Sequence, residues 1–202
     1  MDDMTSEIDP DLAALVGSRI CHDLVSPLGA IGNGIELLSM TGGVGAEMDL
    51  VSESVENANA RIRFFRLAFG SATDGQTLPA REVGAIAGDT RRGSRIDLAW
   101  RIEGELARRE GKLLLLALSC IESAAGAGGT VEATRTARGL RLAGRAPRLR
   151  YEESLWAALE DPDHPLLPPA SQVHFALAPR LAAEMGRPLQ VDRTEERVEI
   201  AF

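Results

Sequence analysis

Cysteine is scarce: Cys21 and Cys120 are the only two in 202 residues. That is too few for a disulfide scaffold, and they form no metal-ligand spacing, so a reducing cytosol fits. Long apolar runs are missing too. The longest, Leu113 to Leu118, falls far short of the ~20 residues that a membrane-spanning helix needs. The chain does not start with the basic and apolar pattern of a secretion signal, but with Asp2, Asp3 and Glu7. Positive charge is not in excess, since 30 acids against 22 bases leave a net charge of −8. A general binder of nucleic acid is expected to be basic, so that class is disfavoured. No internal repeat and no low-complexity tract stands out. The expectation is a cytoplasmic protein with neither nucleic acid nor membrane among its partners.

What is present is a chain with a real core to bury: 45% of residues are apolar and 26% are charged. The charge is unevenly spread. Residues 1–60 hold eleven acids and a single base, Arg19, whereas residues 133–150 hold six arginines and no acid. A solvated face is the default reading of such a skew, and partner choice is the alternative.

Two segments differ in pattern. Residues 10–72 read as two helices joined by a short turn. Asp9 suits an N-cap and Pro10 the first helical position. Leu24, Leu28, Ile31, Ile35 and Leu38 recur every three or four residues as one helical stripe. Thr41-Gly42-Gly43 breaks the chain. A second stripe follows in Met48, Val51, Val55, Ala58, Ile62, Phe65 and Phe69, a heptad seam. Arg61, Arg63 and Arg66 complement the dipole in its last turns. A hairpin of this length cannot cover its own stripes. Two hairpins packed together make a four-helix bundle, so a homodimer through residues 10–72 is expected.

Residues 74–79 read as a linker. Beyond it come a helix over 80–91, a strand over 96–102, a buried helix over 106–125, a hairpin of 130–136 with 140–145, a short helix over 152–159, a Pro-rich loop over 161–169, a helix over 171–185, and strands over 189–192 and 197–202. The fold class expected is α+β: a helical hairpin over residues 1–73, then an α/β sandwich over 80–202, with one sheet and about three helices on one face.

One stretch carries chemistry, Ser18 to Leu28, SRICHDLVSPL. At about 100° per residue, with His22 at zero, the apolar stripe falls roughly 180–240° away. Ser18, Ser26, Gly29, Asn33 and Glu36 lie within about 40° of His22. The imidazole therefore points out of the bundle among small or polar neighbours. Gly29 and Gly32 lie inside the helix, where each costs roughly 1 kcal/mol against Ala, which suits close approach by another surface. Pro27 removes a backbone hydrogen bond and is expected to kink the helix. A lone helical histidine is ordinarily just a surface residue. Here His, acid, Ser and Pro fall together on a dimer-forming hairpin. Neutral imidazole is a nucleophile near pH 7 and can accept a phosphoryl group. Asp23 is placed to hydrogen-bond the ring, and Arg19, one turn back, to contact phosphate or an acidic partner. Cys21 is expected beside the apolar stripe, His164 in a loop and His174 in a structural role.

The string His22-Asp23-Leu24-Val25-Ser26-Pro27-Leu28 resembles the H-box of histidine kinases, departing at Val25, where kinases prefer Lys or Arg. The longer SRICHDLVSPLGAIGNGIELL, Ser18 to Leu38, is similar to the ChpT-type histidine phosphotransferases of alphaproteobacteria. The rest of the chain resembles them in layout: a dimerising hairpin followed by a degenerate histidine-kinase ATPase-like domain. In that domain Ser119 and Ser123 stand where a kinase carries Asn, no Asp-x-Gly-x-Gly box appears, and Leu167 to Gln172 has no glycine to wrap phosphates.

The resemblance implies a phosphorelay shuttle without ATP binding or hydrolysis. His22 would take a phosphoryl group from the receiver aspartate of a hybrid histidine kinase and pass it to response regulators of the CtrA and CpdR kind. Asp23, Arg19 and Ser26 would support the transfer, and Ser18, Gly29, Asn33 and Leu37 would dock the receiver. The chain would need no cofactor or metal of its own, the Mg²⁺ belonging to the partner receiver. The alternatives are a weakly active histidine kinase and a dimeric scaffold or inhibitor that carries no phosphate.

Overall fold

The computed structural model describes residues 10–41, 45–126, 128–161 and 166–202. The proposed cap Asp9, the break at Gly42-Gly43 and His164 lie outside the described residues. Helix α1 spans Pro10–Thr41 and α2 spans Ala46–Ala68. They pack against each other along their length. Helix α1 continues through Pro27, which is buried.

The close point of the hairpin is Gly34, which is buried. A Cβ there would meet Val51 Cγ2 at 2.4 Å and the Glu47 carbonyl oxygen at 3.7 Å. The glycine that lets the helices approach is thus Gly34. Gly29 and Gly32 have nothing within 4 Å of a Cβ and face open space. Much of the apolar stripe stays uncovered within one chain. Leu28 (58%), Ile35 (56%), Met48, Val55 and Ile62 are exposed, while Ala58 and Phe65 are buried.

The second half is a two-layer α/β sandwich. Strand β1 (Thr77–Pro79) pairs antiparallel with β3 (Glu105–Ala107), with Leu78 opposite Leu106, both buried. Pro79 and Ala107 end these strands as the N-caps of α3 (Ala80–Asp89) and α4 (Arg108–Ala124), so the ribbon sets where both helices begin. This corrects two sequence expectations. The linker over 74–79 contains a strand, and residues 106–107 belong to a strand rather than to the following helix. Three-residue strands are too short to show an alternation.

The main sheet has five strands in the order β2-β4-β5-β7-β6, from Ile96–Trp100, Gly129–Thr136, Gly139–Arg145, Arg197–Ala201 and Gln190–Arg193. Only β2 with β4 is parallel; the other pairs are antiparallel. Val131, Ala133, Leu142, Val198 and Ile200 alternate inward under the helices. The other face carries ion pairs such as Arg141 with Glu199 at 2.7 Å.

Helix α4 is the core element. Leu113 to Leu116 and Leu118 are at most 1% exposed, as an apolar run longer than one turn must be when neighbours enclose it. Those neighbours are α2, α3, β5 and α6 (His174–Glu184), and α6 in turn packs on α5 (Glu153–Glu160). Each buried leucine side chain contributes roughly 1.5–3 kcal/mol. Leu67 and Ala68, in the last turn of α2, belong to the same core cluster, which joins hairpin and sandwich. A 3-10 turn over Ala170–Gln172 leads into α6 and touches α1.

The glycines separate by role in a stability test. Gly34→Ala forces Val51 or the helix to move, and denaturant unfolding is expected to show a loss of about 1–2 kcal/mol. Gly29→Ala and Gly32→Ala, facing open space, are expected to leave stability unchanged or raise it by up to about 1 kcal/mol. Equal effects at all three positions would refute the close-packing role of Gly34.

Candidate functional site

Arg19, His22 and Asp23 fall within one turn and a half of α1, so helical geometry alone brings them to neighbouring positions. The His22 side chain is 83% exposed and the Asp23 side chain 12%. His22 Nδ1 lies 3.1 Å from Asp23 Oδ1. A carboxylate only accepts, so Nδ1 is the donor, and in the neutral ring the lone pair is then on Nε2. Asp23 Oδ2 accepts from Arg19 Nε at 2.6 Å. Such a charge-assisted bond holds the carboxylate plane.

Two partners of this cluster come from elsewhere in the chain. Arg61 on α2 places Nη1 3.8 Å from Asp23 Oδ2. Its Nε donates to Asn57 Oδ1 at 2.9 Å, one turn back. Arg19 Nη1 donates to the backbone carbonyl of Ser171, in the 3-10 turn before α6. The hairpin register gives a signal for Arg61: eleven residues back from Gly34 and eleven forward from Val51 lead to Asp23 and to Ile62, the neighbour of Arg61. The Ser171 carbonyl had no such signal, because a backbone acceptor 152 positions away leaves no mark in side-chain patterns.

The remaining expected residues lie where the helical wheel puts them. Ser18, Ser26, Gly29 and Asn33 are exposed on α1, and Leu37 is 45% exposed. Among the described residues Ser26 is not a hydrogen-bond partner of His22 or Asp23, so it belongs to the surface around the site rather than to the bonded cluster. Cys21 is exposed. Its expected place beside the stripe is shared by Leu28, one heptad on, which is likewise exposed within one chain.

Behind the 3-10 turn, Ser119 and Ser123 of α4 are tied back. Ser119 Oγ donates to the Leu115 carbonyl at 3.0 Å. Ser123 Oγ lies 3.0 Å from the Ser119 carbonyl, 2.9 Å from Gln172 Oε1 and 3.1 Å from His174 Nε2. Burial, with a smaller contribution from the Arg19 charge, pushes the His174 imidazole down to about 3. It is therefore a neutral structural residue, as expected from its sequence setting. Among the described residues no group of three or more His, Cys, Asp or Glu side chains is placed to hold a metal ion. No described helix is long and apolar enough to cross a membrane.

Comparisons with known proteins give the following. Residues 80–197 match the family model described as histidine phosphotransferase C-terminal domain. The protein phosphotransferase ChpT of Brucella abortus (strain 2308) is 33% identical, over 93% of this chain and 93% of that protein. A solved structure of a bacterial phosphotransferase is 30% identical, covers 97% of each chain and superposes with a TM-score of 0.77. The Acinetobacter baumannii histidine kinase AdeS is 11% identical over 89% of this chain and 95% of that one, with a TM-score of 0.45.

His174 makes a pH prediction. Its folded pKa is below its unfolded value of about 6.5, so between the two the unfolded chain holds the extra proton and stability falls with falling pH. From pH 7 to pH 5 this one group is expected to cost about 2 kcal/mol. Denaturant unfolding at both pH values should show that loss in the wild type and a smaller one in His174→Gln. Identical pH slopes would overturn the assignment.

Proposed function

This chain belongs to the histidine phosphotransferase family, and on that premise we propose that it relays phosphoryl groups through His22 between receiver domains of a two-component phosphorelay. The observation that carries the proposal is the His22 ring: exposed, with Nδ1 committed to Asp23 and Nε2 open. In the first half-reaction Nε2 attacks the phosphorus of a phospho-aspartate on the receiver of a hybrid histidine kinase. The P–O bond to that aspartate breaks, and its carboxylate leaves with the electron pair. The Nδ1 proton stays on the ring, where Asp23 stabilises the imidazolium that forms. The second half-reaction runs these steps in reverse: a carboxylate oxygen of the aspartate of a response regulator of the CtrA or CpdR kind attacks the phosphorus, and the P–N bond breaks with its electron pair returning to Nε2. Transfer of this type is mostly positioning and charge neutralisation. The Mg²⁺ is supplied by the receiver, and the chain needs no cofactor of its own.

Receiver docking uses the exposed face of α1. Gly29, with open space beyond it, admits close approach, and Ser18, Ser26, Asn33 and Leu37 flank it. Two copies pair through the uncovered stripe of Leu28, Ile35, Met48, Val55 and Ile62, forming a four-helix bundle in the cytoplasm. Transfer proceeds without ATP. This part of the reading is supported by the Ser119 and Ser123 hydroxyls, which are spent on helix carbonyls and on the Gln172–His174 cluster.

The test is transfer from a radiolabelled phospho-receiver. Wild type is expected to take label in an acid-labile, base-stable form, His22→Ala none, and Asp23→Asn at a rate lower on the order of 10- to 100-fold. A protein that binds the receiver but takes no label is a scaffold, and that result would sink the proposal. For pairing, Ile35→Glu or Val55→Glu is expected to convert a dimer to a monomer by sedimentation. A monomeric wild type would remove the bundle from the reading.

A further inference from the structure

We propose that Arg61 is a positioning residue for phosphotransfer at His22, acting through Asp23; the inference rests on the phosphorelay reading above. The two Asp23 oxygens have different partners. Oδ1 faces His22 Nδ1 at 3.1 Å. Oδ2 faces two guanidinium groups, Arg19 at 2.6 Å from its own helix and Arg61 at 3.8 Å from α2. A carboxylate anchored at one oxygen cannot turn the other away from the ring. Arg61 is anchored in turn, because its Nε is bonded to Asn57 Oδ1 at 2.9 Å. The chain Asn57–Arg61–Asp23–His22 therefore runs from a helix that bears none of the reacting atoms to the nitrogen opposite the nucleophile.

Arg19 alone does not supply this. Its guanidinium is divided between Asp23 and the Ser171 carbonyl, so any shift of the 3-10 turn pulls on it. Arg61 sets a second cation 3.8 Å from Oδ2 from the α2 side of the hairpin, an ion pair that does not pass through that turn. It also leaves the cluster with two cations against one carboxylate, a net positive charge beside a group that must receive a dianion. Favourable interaction of Arg61 with the dipole of α2 is an ordinary alternative role. Arg63, two positions on, shares that location but pairs with Asp89 at 2.7 Å, away from His22, and so serves as the control.

Single-turnover transfer from a phospho-receiver, run with wild type, Arg61→Gln, Arg61→Lys and Arg63→Gln, tests this. In Arg61→Gln the first-order transfer step is expected to slow about 5- to 20-fold, with the half-saturating receiver concentration unchanged within about twofold. Arg61→Lys keeps the charge without the fork and is expected to recover at least half of the loss on a logarithmic scale. Arg63→Gln is expected to behave as wild type. In ¹⁵N spectra His22 is expected to report one tautomer, protonated at Nδ1, in the wild type and a mixture in Arg61→Gln, with the thermal midpoint unchanged. The inference is overturned if wild type takes label while Arg61→Gln transfers within twofold of it. It is also overturned if Arg63→Gln loses as much, or if the loss lies in half-saturation and not in the transfer step. A wild type that takes no label brings down the functional reading itself, a result distinct from these.

Discussion

The approach of α1 to α2 at Gly34 is the constraint from which the site follows. With no side chain at position 34, Val51 seats directly on the α1 backbone, and the register of the two helices is set. Toward the open end, eleven residues from Gly34 on α1 and ten from Val51 on α2, that register brings Arg61 against Asp23. Slipping one helix by a single position would rotate Arg61 by about 100° and carry it off the carboxylate. Packing at one end of the hairpin and electrostatics at the other are thus one property, transmitted by two stiff helices. The exposed imidazole gains its defined proton position from a carboxylate that is itself nearly buried.

The sandwich reaches the same carboxylate from the opposite side. Its 3-10 turn offers the Ser171 carbonyl to Arg19, and the turn is held by Gln172 on Ser123 and by His174 within α6. Here the polar groups of α4 satisfy each other and the neighbouring turn, and the imidazole among them stays uncharged. The cluster ties α4, the turn and α6 together beside the Arg19 contact.

How far the sequence reveals this differs by residue type. The positions of His22 and Asp23 were legible because helical periodicity places every residue relative to the apolar stripe, and the burial of α4 was legible because its run Leu113 to Leu118 is apolar over more than a full turn. The hairpin of β4 and β5 was legible as two runs, 130–136 and 140–145, separated by three residues. The ribbon of β1 with β3 did not show, since its three-residue strands carry no period and Leu78 meets Leu106 only through a long connection. Arg61 read as a dipole partner, because α2 taken alone gives it no other role; its contact with Asp23 exists only once the helix register is known. The Ser171 carbonyl belongs to the backbone and is invisible to any reading of side chains.

The two faces of α1 can serve different surfaces without conflict. His22 and the stripe through Leu28 and Ile35 lie on opposite sides of the helix. A second hairpin laid on the stripe therefore leaves the imidazole as open as it is in one chain, where its side chain is 83% exposed. Arg61 sits between these faces, one residue before Ile62 of the uncovered seam, with its guanidinium turned to Asp23. Pairing through Ile62 would limit the freedom of the α2 backbone that carries Arg61. Ordering of the seam and ordering of the carboxylate would then reinforce each other: an apolar contact between two copies would also steady the cation beside Asp23.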